Sequence, residues 1–350
     1  MEVGFPELLP VATQSVRLCR VRPKEKVVVY TDTSTDAAIA EAWYAACVVE
    51  GCDVVLIRGQ AREVETDPPL PAIAAMTEAD VVFDIPSVDD GYAPSLPAIM
   101  ASGTRVLQIL LPRESVIERA PDPENSWRAD ASELLMKDAN EIRVTTPEGT
   151  DLRATLARDR PLDVARGYVR EAGEWDSYGT DLIAAAPIES SVHGTIVFNG
   201  PLILLPQFTF SPQAPIRAEV MEGRITEMAV NDEDGRKLKC WFAQWDDPNA
   251  YVFSHVGWGL DPRADLSVYE LTACESYDGG VMVAFGSNTG GKLRGTVQSQ
   301  AHMDGILLGA SLWLDDLQII EDGEFTEASG LRPRSPSTRP ADPPSLRSAC

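Results

Sequence analysis

Basic residues are few. Thirty lysines and arginines stand against 54 aspartates and glutamates, a formal charge of −24 over 350 residues. A chain this acidic repels phosphate backbones and anionic lipid headgroups, and no local basic patch offsets it. Neither nucleic acid nor a membrane surface is therefore an expected partner. No run of 18 apolar residues occurs, which excludes a membrane span. The N-terminal MEVGFPELLP has neither the basic segment nor the apolar stretch of a secretory leader. The six cysteines form no CxxC pair. They read as reduced thiols of a cytoplasmic protein, and zinc-ribbon and iron–sulfur sites are excluded. No GxGxxG follows the first strand, and GxxxxGK before Ser or Thr occurs nowhere, so nucleotide binding has no residues to carry it.

What is there is globular: 44% apolar and 24% charged residues, over a length that suggests two domains. Residues 26–30 form a short β-branched apolar run, and residues 31–36 supply helix-capping side chains. The alanine-rich stretch 37–49 then reads as a helix, and residues 53–57 as the next strand. Residues 79–84 and 105–111 repeat the strand pattern at the same spacing. The expectation is an α/β N-terminal domain over residues 1–141 with a parallel sheet between helices. Its last element is an amphipathic helix over 126–141, with Leu134, Leu135 and Met136 on the apolar side.

From residue 142 the texture changes to short strands separated by turns such as Glu148-Gly149, Asn199-Gly200 and Glu222-Gly223. A β-rich α+β metal-binding domain over 142–328 is expected. Residues 329–350 follow as a disordered tail, rich in proline and serine with almost no apolar content.

Histidine is the scarce chemical resource, with three in the chain: His193, His255 and His302. His302 and Asp304 stand two apart where a strand is expected, so both side chains share one face and can bind one metal ion. His255 lies in SHVGWGLDP, whose glycines and proline suggest a loop or strand end, a common place for functional residues. Two imidazoles and one carboxylate with open positions suit non-haem Fe(II) and also a hydrolytic zinc ion. Spacing alone leaves both open.

The blocks SHVGWGLDP (254–262), FGSNTGG (285–291) and AHMD (301–304) resemble the 2,5-dihydroxypyridine 5,6-dioxygenases, relatives of the aminopeptidase T metallopeptidases. GEWD (173–176), SVHGTIVFNGP (191–201) and the α/β first domain carry the same likeness, which spans about residues 20–325. The resemblance implies iron held by His255, His302, Asp304 and Ser287. It further implies a hydroxylated N-heteroaromatic ring as substrate with O2, Fe(II) as cofactor, and a homo-oligomer. His193 matches a histidine that orients the substrate or moves its proton, and Asp181 and Glu189 are further candidate proton carriers. Trp258 is a candidate pocket residue. The alternative within the same superfamily is a metal-dependent aminopeptidase or other hydrolase. Trp258, where a tyrosine would be sought, and Asp181, where a glutamate ligand would be, weigh against it.

Overall fold

A computed structural model describes residues 4–333, except 63–66, 92, 124, 206, 207, 269 and 291. The chain divides into two compact units: residues 1–122 with 165–180, and residues 123–164 with 181–350.

In the first unit, helix α1 (Phe5–Leu18) precedes β1 (Lys26–Asp32), α2 (Ala37–Val49), β2 (Asp53–Gly59), α3 (Leu70–Thr77), β3 (Val81–Ile85) and β4 (Arg105–Gln108). The strands run parallel in the order β2-β1-β3-β4, followed by the strand Trp175–Ser177. Successive residues of β1 feed opposite faces, as strand geometry requires. Val27 and Val29 pack into one apolar cluster with Trp43 of α2, while Val28 and Tyr30 pack into another with Met76 of α3. Burial on both faces is why β1 reads as an unbroken apolar run. Asp36 caps α2 by accepting the Ala38 amide, and the Arg113 guanidinium grips the same carboxylate.

The second unit holds two antiparallel sheets around one core. The eight-stranded sheet includes 141–145, 151–155 and 193–198 near its centre. The seven-stranded sheet places three buried strands side by side: Phe253–Gly259, Val281–Gly286 and His302–Leu307. The mixed α/β architecture is the one expected.

Several boundaries differ from the sequence reading. The helix Trp127–Asp138 covers the core of the second unit, not the first: Ala129 and Met136 are buried there, and Trp258 Nε1 donates to Ser132 Oγ at 3.2 Å. Hydrophobic periodicity identifies a covered face without saying which core covers it. Leu134, assigned to that face, is 67% exposed. Conversely, residues 165–180 return to the first unit and complete its parallel sheet. The chain stays packed past residue 329, since Leu331 is buried and its carbonyl accepts Arg128 Nε at 2.6 Å. The rest of the expected tail, residues 334–350, lies outside the described residues. No helix among the described residues is long and apolar enough to cross a membrane.

Candidate metal centre

His302 and Asp304 sit on one strand at positions i and i+2, so both face the same way. Opposite them on the middle strand stand Gly286 and Ala284, paired with His302 and Asp304 respectively. These are the two smallest side chains available. Gly286 adopts φ +98°, and a Cβ there would run into the Ala301 carbonyl. The floor between the outer strands is therefore nearly bare.

His255 comes from the other side of that floor. It was expected on a loop or strand end, yet it lies inside a strand whose seven residues are all buried. The pairing explains this. Phe253 faces Phe285 and Val256 faces Val283, so three steps on one strand match two on the other. One extra residue makes a bulge, which re-aims a side chain. His255 then leans across toward the third strand. Its Nε2 stands 3.2 Å from Asp304 Oδ1, and His302 Nε2 stands 3.2 Å from Asp304 Oδ2. The two imidazoles stack at 5.3 Å between centroids.

One donor atom from each of the three residues lies within 4.8 Å of the others, and all three residues are buried. Despite the short approaches, neither Asp304 oxygen makes a well-aligned hydrogen bond, and His255 Nδ1 is likewise buried without a partner. Burial works to raise the Asp304 pKa, but the imidazoles beside it outweigh that and hold it well below the usual carboxylate range. A buried anion with orphaned oxygens beside imidazole nitrogens is costly unless a cation completes it. The set fits a divalent metal ion with coordination positions to spare. His302 Nδ1 bonds the Ser287 carbonyl at 2.8 Å. With its proton there, Nε2 keeps a lone pair for a metal.

The remaining sequence candidates fall in different places. Ser287 adjoins His302, but through its carbonyl, which also accepts the Ser254 hydroxyl at 2.8 Å. Its own hydroxyl lies 3.5 Å from that of Thr289. His193 is exposed and begins a strand of the other sheet, where its Nδ1 accepts the Glu222 amide at 3.3 Å. Asp181 is five residues removed along the His255 strand, beside Leu260, whose amide donates to the Asp181 carbonyl. At about 3.3 Å per residue that is roughly 17 Å from His255. There it belongs to another polar cluster, accepting Asn125 Nδ2 at 2.5 Å. Burial, reinforced by the nearby Asp261 charge, pushes its pKa up to about 8.

Glu189 does come near the centre, linked through Asn288 to the Ser254 carbonyl. Arg160, Asn288 and Thr296 all donate to its carboxylate. Burial works against ionisation, but these bonds win and bring its pKa down to about 2. Trp258 is wholly buried in the core. Asn288 is the residue that sequence reasoning passed over; its only signal is a polar run directly after an apolar strand.

Two imidazoles and a carboxylate on an antiparallel sheet have the donor chemistry that metal-dependent oxygenases and hydrolases use. Residues 7–327 match the family described as 2,5-dihydroxypyridine 5,6-dioxygenase, and the chain belongs to that family. It is 28% identical over 273 residues to the 2,5-dihydroxypyridine 5,6-dioxygenase of Pseudomonas putida, covering 76% of each chain. The solved structure of the dioxygenase from Pseudomonas putida matches with a TM-score of 0.85 at 25% identity, over 94% of this chain and 100% of that one. Wild-type AmpT from Thermus thermophilus shares the fold, with a TM-score of 0.67 at 16% identity over 92% and 99% of the two chains.

Proposed function

We propose that the protein is an Fe(II)-dependent dioxygenase that opens the C5–C6 bond of 2,5-dihydroxypyridine to give N-formylmaleamate. One ring and one O2 are consumed, and both oxygen atoms end in the product. The observation that carries this reading is the buried His255–His302–Asp304 cluster with its orphaned carboxylate oxygens, in a chain of this family. His255, His302 and Asp304 would hold the iron. The chemistry such an iron would supply is activation of O2 beside a ring hydroxyl.

The chain's own residues do the rest by orientation and charge. Asp304 would offset one of the two positive charges of a divalent cation held there, and the charge left over would favour an ionised ring hydroxyl. Ala284 and Gly286, paired with Asp304 and His302, add little side-chain bulk on that face. The Ser287 carbonyl fixes the His302 ring. The acidic composition fits a cytoplasmic enzyme acting on a small molecule, and homo-oligomerisation rests on the family likeness.

Protein reconstituted anaerobically with Fe(II) is expected to consume O2 and bleach the ultraviolet band of 2,5-dihydroxypyridine. Release of an aminoacyl chromophore with no oxygen uptake would overturn the proposal in favour of a hydrolase.

A further inference from the structure

A hydrogen-bonded bridge ties together the two strands that carry the histidines. Asn288 is fully buried. Its Nδ2 donates to Glu189 Oε1 at 3.0 Å and to the Ser254 carbonyl at 3.2 Å. Its Oδ1 accepts the Val297 amide at 2.7 Å. Ser254 immediately precedes His255. Ser287 immediately precedes Asn288, and its carbonyl receives both His302 Nδ1 and the Ser254 hydroxyl. One amide side chain therefore links the backbone beside His255 to the backbone that orients His302.

Glu189 anchors that amide. Its carboxylate takes a two-pronged bond from Arg160, at 2.8 and 2.9 Å, and accepts the Thr296 hydroxyl at 3.0 Å. Forked guanidinium–carboxylate pairing fixes direction as well as distance. Gly295 packs its backbone directly on the Asn288 side chain, and a Cβ there would collide with it. The amide has no room to swing.

We propose that Glu189 and Asn288 are positioning residues of the metal centre. The Arg160–Glu189 pair holds Asn288, and Asn288 holds the Ser254 and Ser287 backbone that aims both imidazoles. This rests on the reading that the cluster binds metal. Groups that orient a ligating histidine typically contribute 10–100-fold to metal affinity.

Cobalt(II) is the probe, with affinity read by chelator competition, ligand geometry by the visible absorption bands, and the fold by the melting temperature of the metal-free protein. Glu189→Gln keeps an acceptor for Asn288 and is expected to bind cobalt within about threefold of wild type. Glu189→Ala and Gly295→Ala are expected to bind ~10–100-fold more weakly with shifted bands. Gly295→Ala reaches the same amide without touching Glu189. Alanine variants that lose melting temperature but keep wild-type affinity and bands would overturn the proposal, leaving a purely structural role. So would a Glu189→Gln variant with normal cobalt binding but turnover as low as Glu189→Ala, which would make Glu189 a proton carrier. Failure of the wild type itself to take up cobalt would refute the metal-site reading, and this proposal with it.

Discussion

Replacing Asp304 by asparagine keeps the shape of the side chain and removes its charge. In the metal-free protein the change removes the anion that the two imidazoles favour, so each protein is compared with its own metal-free form. The effect on binding should appear when metal is added. At a free metal concentration 100 times the dissociation constant, binding stabilises the folded state by about 2.7 kcal/mol. The unit that carries the site has roughly 200 residues. For that size each kcal/mol raises the melting temperature by about 2–4 °C, so wild type should gain about 5–10 °C. If Asp304→Asn weakens the site 100-fold, the same metal concentration leaves about 0.4 kcal/mol, or about 1 °C. Thermal unfolding with and without Fe(II) under anaerobic conditions measures both shifts. An asparagine variant that keeps the whole metal-induced rise would remove Asp304 from the ligand set.

Ala284→Val adds bulk on the face shared with Asp304. The strand should tolerate it at about 1–3 kcal/mol of overpacking, while metal affinity falls at least ~10-fold; unchanged affinity, read by chelator competition, would show that the floor between the donors is not the site. Ser287→Ala leaves intact the carbonyl that holds His302, so cobalt affinity should change less than ~10-fold; complete loss of metal would make the hydroxyl a required ligand. Asp181 keeps its proton in the folded state up to about pH 8, whereas unfolded it releases it near ~3.9. Between those values the folded state binds more protons, so this group's contribution to stability declines as pH rises, by up to about 1.4 kcal/mol per pH unit. Asp181→Asn should flatten that decline in urea titrations between pH 5 and 8; an unchanged slope would refute the assignment.

The sequence carried local information well and long-range information poorly. The apolar run at 26–30 and the cap at Asp36 located β1 and α2 because each signal lies within its own element. His302 and Asp304 were legible for the same reason, a spacing of two on one strand. The position of His255 was not. Its two glycines read as breakers, while the strand continues through them and turns on a bulge between Phe253 and Val256, set by pairing with Phe285 and Val283 on the next strand. The bonding of Glu189 was not legible either, because its partners, Asn288 and Thr296, stand 99 and 107 residues away. Some helices also carry weak local signals. Phe5–Leu18 buries Leu8, Ala12, Ser15 and Val16, with a proline at its tenth residue position in the chain obscuring the pattern. Glu233–Ala243 lies within a region otherwise written as strands, and buries Leu238, Trp241 and Phe242 behind an Asp232 cap.

Isotope incorporation tests the central claim most directly. Fe(II)-loaded protein is given 2,5-dihydroxypyridine under 18O2, and the product is weighed by mass spectrometry while O2 uptake is recorded. The account predicts two 18O atoms in each ring-opened product, one O2 consumed per ring, and no reaction without iron. Ring loss without 18O incorporation, or stoichiometric iron in His255, His302 and Asp304 with no oxygen consumed, would contradict it.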